Sequence, residues 1–123
     1  MPAAFSVFYK YLHDNEEHVG PAGLFALDDG PGEQEHPVVL ATPDGAHAMG
    51  VFSPGLPQHG IGYGRFRFGS NPNNPSHTTK WNCVYRVTPL ITPGSYRYFC
   101  LVVFGTTSEV TASVHALYST YKR

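Results

Sequence analysis

Pro37-Val38-Val39-Leu40-Ala41-Thr42-Pro43-Asp44-Gly45-Ala46-His47-Ala48-Met49-Gly50-Val51-Phe52 is the stretch whose reading decides the fold of this 123-residue chain. Residues 37–42 are a β-rich run. Thr42-Pro43-Asp44-Gly45 then joins a proline that presets φ to a glycine that tolerates positive φ, which is the chemistry of a tight chain reversal. Residues 46–52 resume the run with His47, Met49 and Val51 on one side. The stretch reads as a β-hairpin, and it sets the expectation of an antiparallel all-β fold.

Working outward, residues 4–12 set Phe5, Val7, Tyr9 and Tyr11 against Ser6, Phe8 and Lys10, a strand covered in part on both faces. Residues 13–35 are acidic and rich in glycine and proline, with Leu24, Phe25 and Leu27 as their apolar anchor. They read as a long loop, or a short strand between loops. Residues 63–68 place Tyr63, Arg65 and Arg67 on one face and Phe66 and Phe68 on the other, so one side is core and the other is polar. The run Asn71-Pro72-Asn73-Asn74-Pro75 cannot hold a ladder, and residues 69–80 read as an exposed loop.

Residues 81–87 and 95–104 flank a loop containing Pro89, Pro93 and Gly94, and a symmetric hairpin there centres between Ile91 and Thr92. That register sets Cys83 opposite Cys100, Tyr85 opposite Tyr98 and Arg86 opposite Arg97. A bridge between Cys83 and Cys100 is geometrically conceivable, but cross-strand disulfides are strained, so a pair of free thiols is expected. The chain closes on a helix: Thr106 and Glu109 match a capping box, and Val110, Val114, Leu117 and Tyr121 recur on one face.

Composition agrees with the class. Seventeen aromatics, thirteen glycines and eleven prolines with only 14% charged residues describe short strands punctuated by turns. The expectation is one domain over residues 1–123, an antiparallel β-sandwich with a short C-terminal helix. No apolar run approaches the roughly 18 residues that cross a bilayer, and the first twelve residues lack the parts of a signal peptide, so the chain reads as soluble and cytoplasmic with no membrane partner.

Charge is sorted along the chain. Residues 1–44 hold eight of the nine acids and one base, Lys10, whereas residues 45–123 hold seven bases and one acid, Glu109. Opposite signs sorted in sequence tend to meet in space, within one molecule or between two. A formal net charge of −1 argues against a dedicated nucleic-acid binder.

Four arginines, Arg65, Arg67, Arg86 and Arg97, fall within expected strands, where a guanidinium needs a partner. On neighbouring strands they form a stripe bordered by Tyr63 and Trp81, suited to a carboxylate or a hydroxyl-rich ligand. Asp28, Asp29, Glu33 and Glu35 can instead supply the anions from within the chain, or from another copy. Glu33, His36 and His47 are the candidates for acid–base chemistry across the hairpin loops. No histidine pair has a recognised metal spacing, and no phosphate loop or dinucleotide fingerprint occurs, so neither metal nor cofactor is expected.

Gly32-Glu33-Gln34 with residues 36–40, the turn segment 42–51, and the final strand pair with its Gly105-Thr106 helix start are similar to one half of a galactose-mutarotase-like β-supersandwich. The resemblance spans about residues 30–105 and rests on strand and turn style. It implies a carbohydrate ligand on an open sheet face, with Glu33, His36 and His47 as acid–base groups if an aldose-epimerase-like activity is retained. The functional expectation is therefore a binding module for a carbohydrate or another polar or acidic small molecule, with a self-associating homo-oligomer and an epimerase-like enzyme as alternatives.

Overall fold

A computed structural model describes residues 4–12, 23–56, 62–69, 71, 73–74, 76–84, 93–95 and 98–121. Eight strands, β1 (Val7–Tyr11), β2 (Leu24–Leu27), β3 (Gly32–Gln34), β4 (Val38–Ala41), β5 (Ala48–Phe52), β6 (Tyr63–Phe68), β7 (Thr78–Cys83) and β8 (Leu101–Gly105), precede one helix, α1 (Thr107–Tyr121). They form two antiparallel sheets, β2-β1-β4-β5-β8 and β3-β6-β7. The fold is an all-β sandwich with a C-terminal helix.

The hairpin at residues 37–52 is the centre of it. Val39 faces Gly50 and Leu40 faces Met49, and the turn closes through the Gly45 amide donating to the Thr42 carbonyl at 2.9 Å. Asp44 secures the turn by accepting from the Thr42 hydroxyl and the Ala46 amide. These bonds hold its carboxyl below the usual carboxylate range.

Strand β4 carries no polar side chain because it is covered twice. Val39 and Ala41 point to the helix side with Tyr11, Leu24, Ala48, Val110 and Val114, while Val38 and Leu40 point into the sandwich with Phe8, Val51, Leu56 and Tyr63. Each fully buried aliphatic side chain of this kind contributes about 1.5–3 kcal/mol. The layers are thus helix, five-stranded sheet and three-stranded sheet.

Helix α1 begins where the capping box placed it. The Glu109 amide donates to Thr106 Oγ1 at 3.2 Å, and Glu109 Oε1 accepts from the Thr106 amide at 3.0 Å. Val110 and Val114 are fully buried. Further along, Tyr118 packs on the core, stacking near Tyr11 and Phe52, whereas Tyr121 is largely exposed. Burial pushes the Tyr118 phenol up.

Three expectations are revised. Among the described residues of 13–35 the apolar anchor is a short strand, β2 on β1, as the second of the two readings had it, and Gly32–Gln34 add a further strand, β3 on β6, that neither reading placed. Among the described residues, 81–84 and 98–104 do not pair as a hairpin: β7 starts at Thr78 and pairs with β6, while β8 pairs with β5 in the other sheet. Cys83 and Cys100 still meet, as a disulfide joining the two sheets with Cα atoms 7.0 Å apart, and not as free thiols on neighbouring strands. Tyr85, Arg86 and Arg97 lie outside the described residues.

Candidate functional site

Strand β6 settles which of its faces meets solvent. Tyr63 is 1% exposed and belongs to the sandwich core, and Trp81, opposite Arg65 in the register, packs against that same core. Alternation then carries Arg65 and Arg67 inward too. Tyr63, Arg65, Arg67 and Trp81 do share a face, and it is the inner one.

The inward guanidiniums are engaged by the acidic segment. Arg65 donates from Nε to the Asp28 carbonyl at 2.9 Å, from Nη1 to Gln34 Oε1 at 3.0 Å and from Nη2 to Asp28 Oδ1. Arg67 Nη2 donates to the Ser6 carbonyl and stands 3.1 Å from Asp29 Oδ1. Its guanidinium lies 5.7 Å from the centre of the Phe8 ring. Asp28 is held below the usual carboxylate range, first by the Gly30 amide and then by Arg65. These bonds fasten Asp28, Asp29 and Gln34 to the small sheet and tie it to Ser6, just before β1.

Trp81 donates from its indole nitrogen to Met49 Sδ at 3.3 Å, and the Tyr63 hydroxyl bonds the Ser53 backbone. Both side chains tie the two sheets together.

The acid–base candidates are dispersed. Glu33 sits mid-β3, opposite Gly64. His36 precedes β4, half-buried, with its ring nitrogen 4.0 Å from Glu35. Burial lowers its pKa, opposed by Glu35. His47 is exposed at the far end of β4, in the turn to β5. The length of β4, about 13 Å of extended chain, separates the two histidines. Among the described residues no three histidine, cysteine or carboxylate side chains form a metal cluster.

What faces outward from β6 is Gly64, Phe66 and Phe68. Gly64 and Phe66, with Arg65 between them, Pro31, Gly32 and Glu33 on one side and Asn82 and Lys80 on the other, line an open groove of about 220 Å³, and Phe68 lies beyond its end. Gly64 is its floor: a Cβ there would fall 2.5 Å from Asn82 Oδ1, so the Asn82 amide lies across the glycine. The Phe66 and Phe68 rings are 6.0 Å apart, Phe68 is 57% exposed, and Lys80 Nζ stands 5.5 Å over the Phe66 ring. The groove presents an aromatic ring, a carboxylate, an ammonium and an amide.

Sequence reasoning assigned Phe66 and Phe68 to the core and Lys80 to a loop. The available signal was Gly64, which shares their parity and marks a place where something approaches the backbone closely. No family model matches this chain, and no curated protein or solved structure matches it either.

Proposed function

We propose that the protein is a binding module for a small polyhydroxylated ligand of the saccharide type, held on the outer face of the three-stranded sheet. The observation that carries this reading is the outward ring of Phe66, with Phe68 next to it on the same face, beside a glycine floor lined also by Glu33, Lys80 and Asn82. A sugar ring has one apolar face and a rim of hydroxyls. Aromatic rings take the first, and carboxylate, ammonium and amide groups exchange hydrogen bonds with the second.

Size supports a short ligand. The groove is smaller than the roughly 300–1,000 Å³ clefts that enclose drug-sized molecules, so it suits one or two rings lying on an open surface. Binding of this kind is modest in strength, because an open face removes only one side of the ligand from water.

Amide-resolved NMR titration with neutral, acidic and amino monosaccharides and disaccharides tests the proposal. Shifts confined to Glu33, Gly64, Phe66, Lys80 and Asn82, saturating with at least one sugar class, support it. Shifts at other sites, or none at millimolar sugar, overturn it.

A further inference from the structure

Among the described residues the two sheets have four edge strands, and three of them carry features that discourage pairing with another chain. β2 runs into Asp28-Asp29, β3 is three residues long with Pro31 before it and Glu33 within it, and β7 bears Lys80 and Asn82. Strand β8, Leu-Val-Val-Phe-Gly, has neither charge nor proline. Its sandwich-side residues are exposed, Val102 by 39% and Phe104 by 68%, because the small sheet stacks over β4 and β5 and leaves β8 as an apolar ledge.

The helix beside that ledge is equally short of charge. Residues 98–121 contain one charged side chain, Glu109, and it is engaged in the helix cap. Thr111 lies beside Gly23, and His115 Nδ1 is 2.7 Å from the Tyr11 hydroxyl, so that flank of α1 faces β1 and β2. The opposite flank, toward the β8 edge, presents Ser113, Ala116 and Thr120, in line with Glu109, which packs over Gly105 at the first turn of the helix. Apart from Glu109 at the helix start, the continuous strand and helix surface carries no charge, and depletion of charge is the compositional mark of an interface.

From this we propose that the chain forms a two-fold homodimer in which β8 pairs antiparallel with β8 of a second copy and the two α1 helices pack side by side above the joined sheets. The strand is self-complementary: pairing centred on Val103 sets Val102 against Phe104 of the partner subunit and makes one ten-stranded sheet. Helix spacing fits as well. Since α1 contacts both β5 and β8, its axis lies about one strand spacing from the dyad, which puts the two axes about 10 Å apart, the distance at which small side chains pack helices. A five-residue edge by itself covers too little surface for a stable dimer, which needs about 800 Å² per partner. The 15-residue helix, about 22 Å long, supplies the rest.

Sedimentation velocity on the full chain between 1 and 100 μM tests this. The expected result is a species of twice 13.5 kDa whose dissociation constant is unchanged in 1 M salt, since no ion pairs hold it. Phe104→Lys and Ala116→Arg, both at exposed positions, each raise that constant at least thirtyfold with unaltered circular dichroism. A monomer throughout the concentration range overturns the proposal, as does a dimer that neither substitution weakens.

Discussion

The Tyr63 hydroxyl accepts a hydrogen bond from the Ser53 amide at 2.9 Å and donates to the Ser53 carbonyl at 3.2 Å. One buried phenol on the small sheet thereby binds the end of β5 in the large sheet, and Ser53 Oγ carries the tie on to the Phe99 carbonyl at 2.8 Å. Tyr63→Phe keeps the ring and removes the bonds. Leaving buried backbone groups less satisfied costs about 1–3 kcal/mol, which urea denaturation would register as a lower midpoint with an unchanged slope. An unaltered midpoint would show that the sheets are held together without this bond.

Asp28 supplies a pH test. Its pKa is depressed in the folded state by the Gly30 amide and Arg65, so its contribution to stability is complete above the unfolded value of about 4 and is lost as pH falls through the folded value. Wild-type protein should lose stability on acidification from pH 5 to pH 2.5, and Arg65→Gln should lose less, so the gap between them narrows. Parallel losses would mean that Arg65 does not hold Asp28.

Two glycines on different surfaces predict opposite outcomes. At Gly50 a Cβ would sit 2.8 Å from Val110 Cγ1 and 3.3 Å from Val103 Cγ2, so Gly50→Ala wedges the helix off β5 and costs about 1–3 kcal/mol. At Gly64 the added atom meets only the movable Asn82 amide, so Gly64→Ala changes stability by about 0.5 kcal/mol or less while filling the groove. Thermal denaturation and ligand titration on the two variants separate packing from binding.

The Cys83–Cys100 bridge spans 17 residues of sequence between the two sheets. Loop-closure entropy for that length amounts to about 3 kcal/mol. Reduction should lower the denaturation midpoint accordingly, and alkylation before reduction should label neither cysteine in the oxidised protein. Labelling of both thiols without reductant would refute the bridge.

The hairpin and the helix were legible because their signals are local: a Thr-Pro-Asp-Gly turn between apolar runs, and Thr106 three residues before Glu109. Partners of β7 and β8 were not, since residues 81–87 and 95–104 look like a hairpin by proximity while their pairing is decided by which sheet each strand completes. The inverted sidedness of β6 has a similar origin. Alternation shows that Arg65 and Phe66 oppose one another but not which is inside, and the answer depends on Asp28 and Asp29, far earlier in the chain, neutralising the guanidiniums. Once those pairs form, Tyr63 and Trp81 fill the interior and the phenylalanines are left to the groove.

Arg65 and Phe66 are therefore adjacent residues with opposite duties, and substituting them separately tests the account most directly. Melting temperature and affinity for the best-bound sugar should be measured together for Arg65→Gln and Phe66→Ala. The account predicts that Phe66→Ala weakens binding about tenfold or more with little change in melting temperature, while Arg65→Gln lowers the melting temperature by about 5 °C and leaves affinity intact. Binding lost in Arg65→Gln and kept in Phe66→Ala would contradict it.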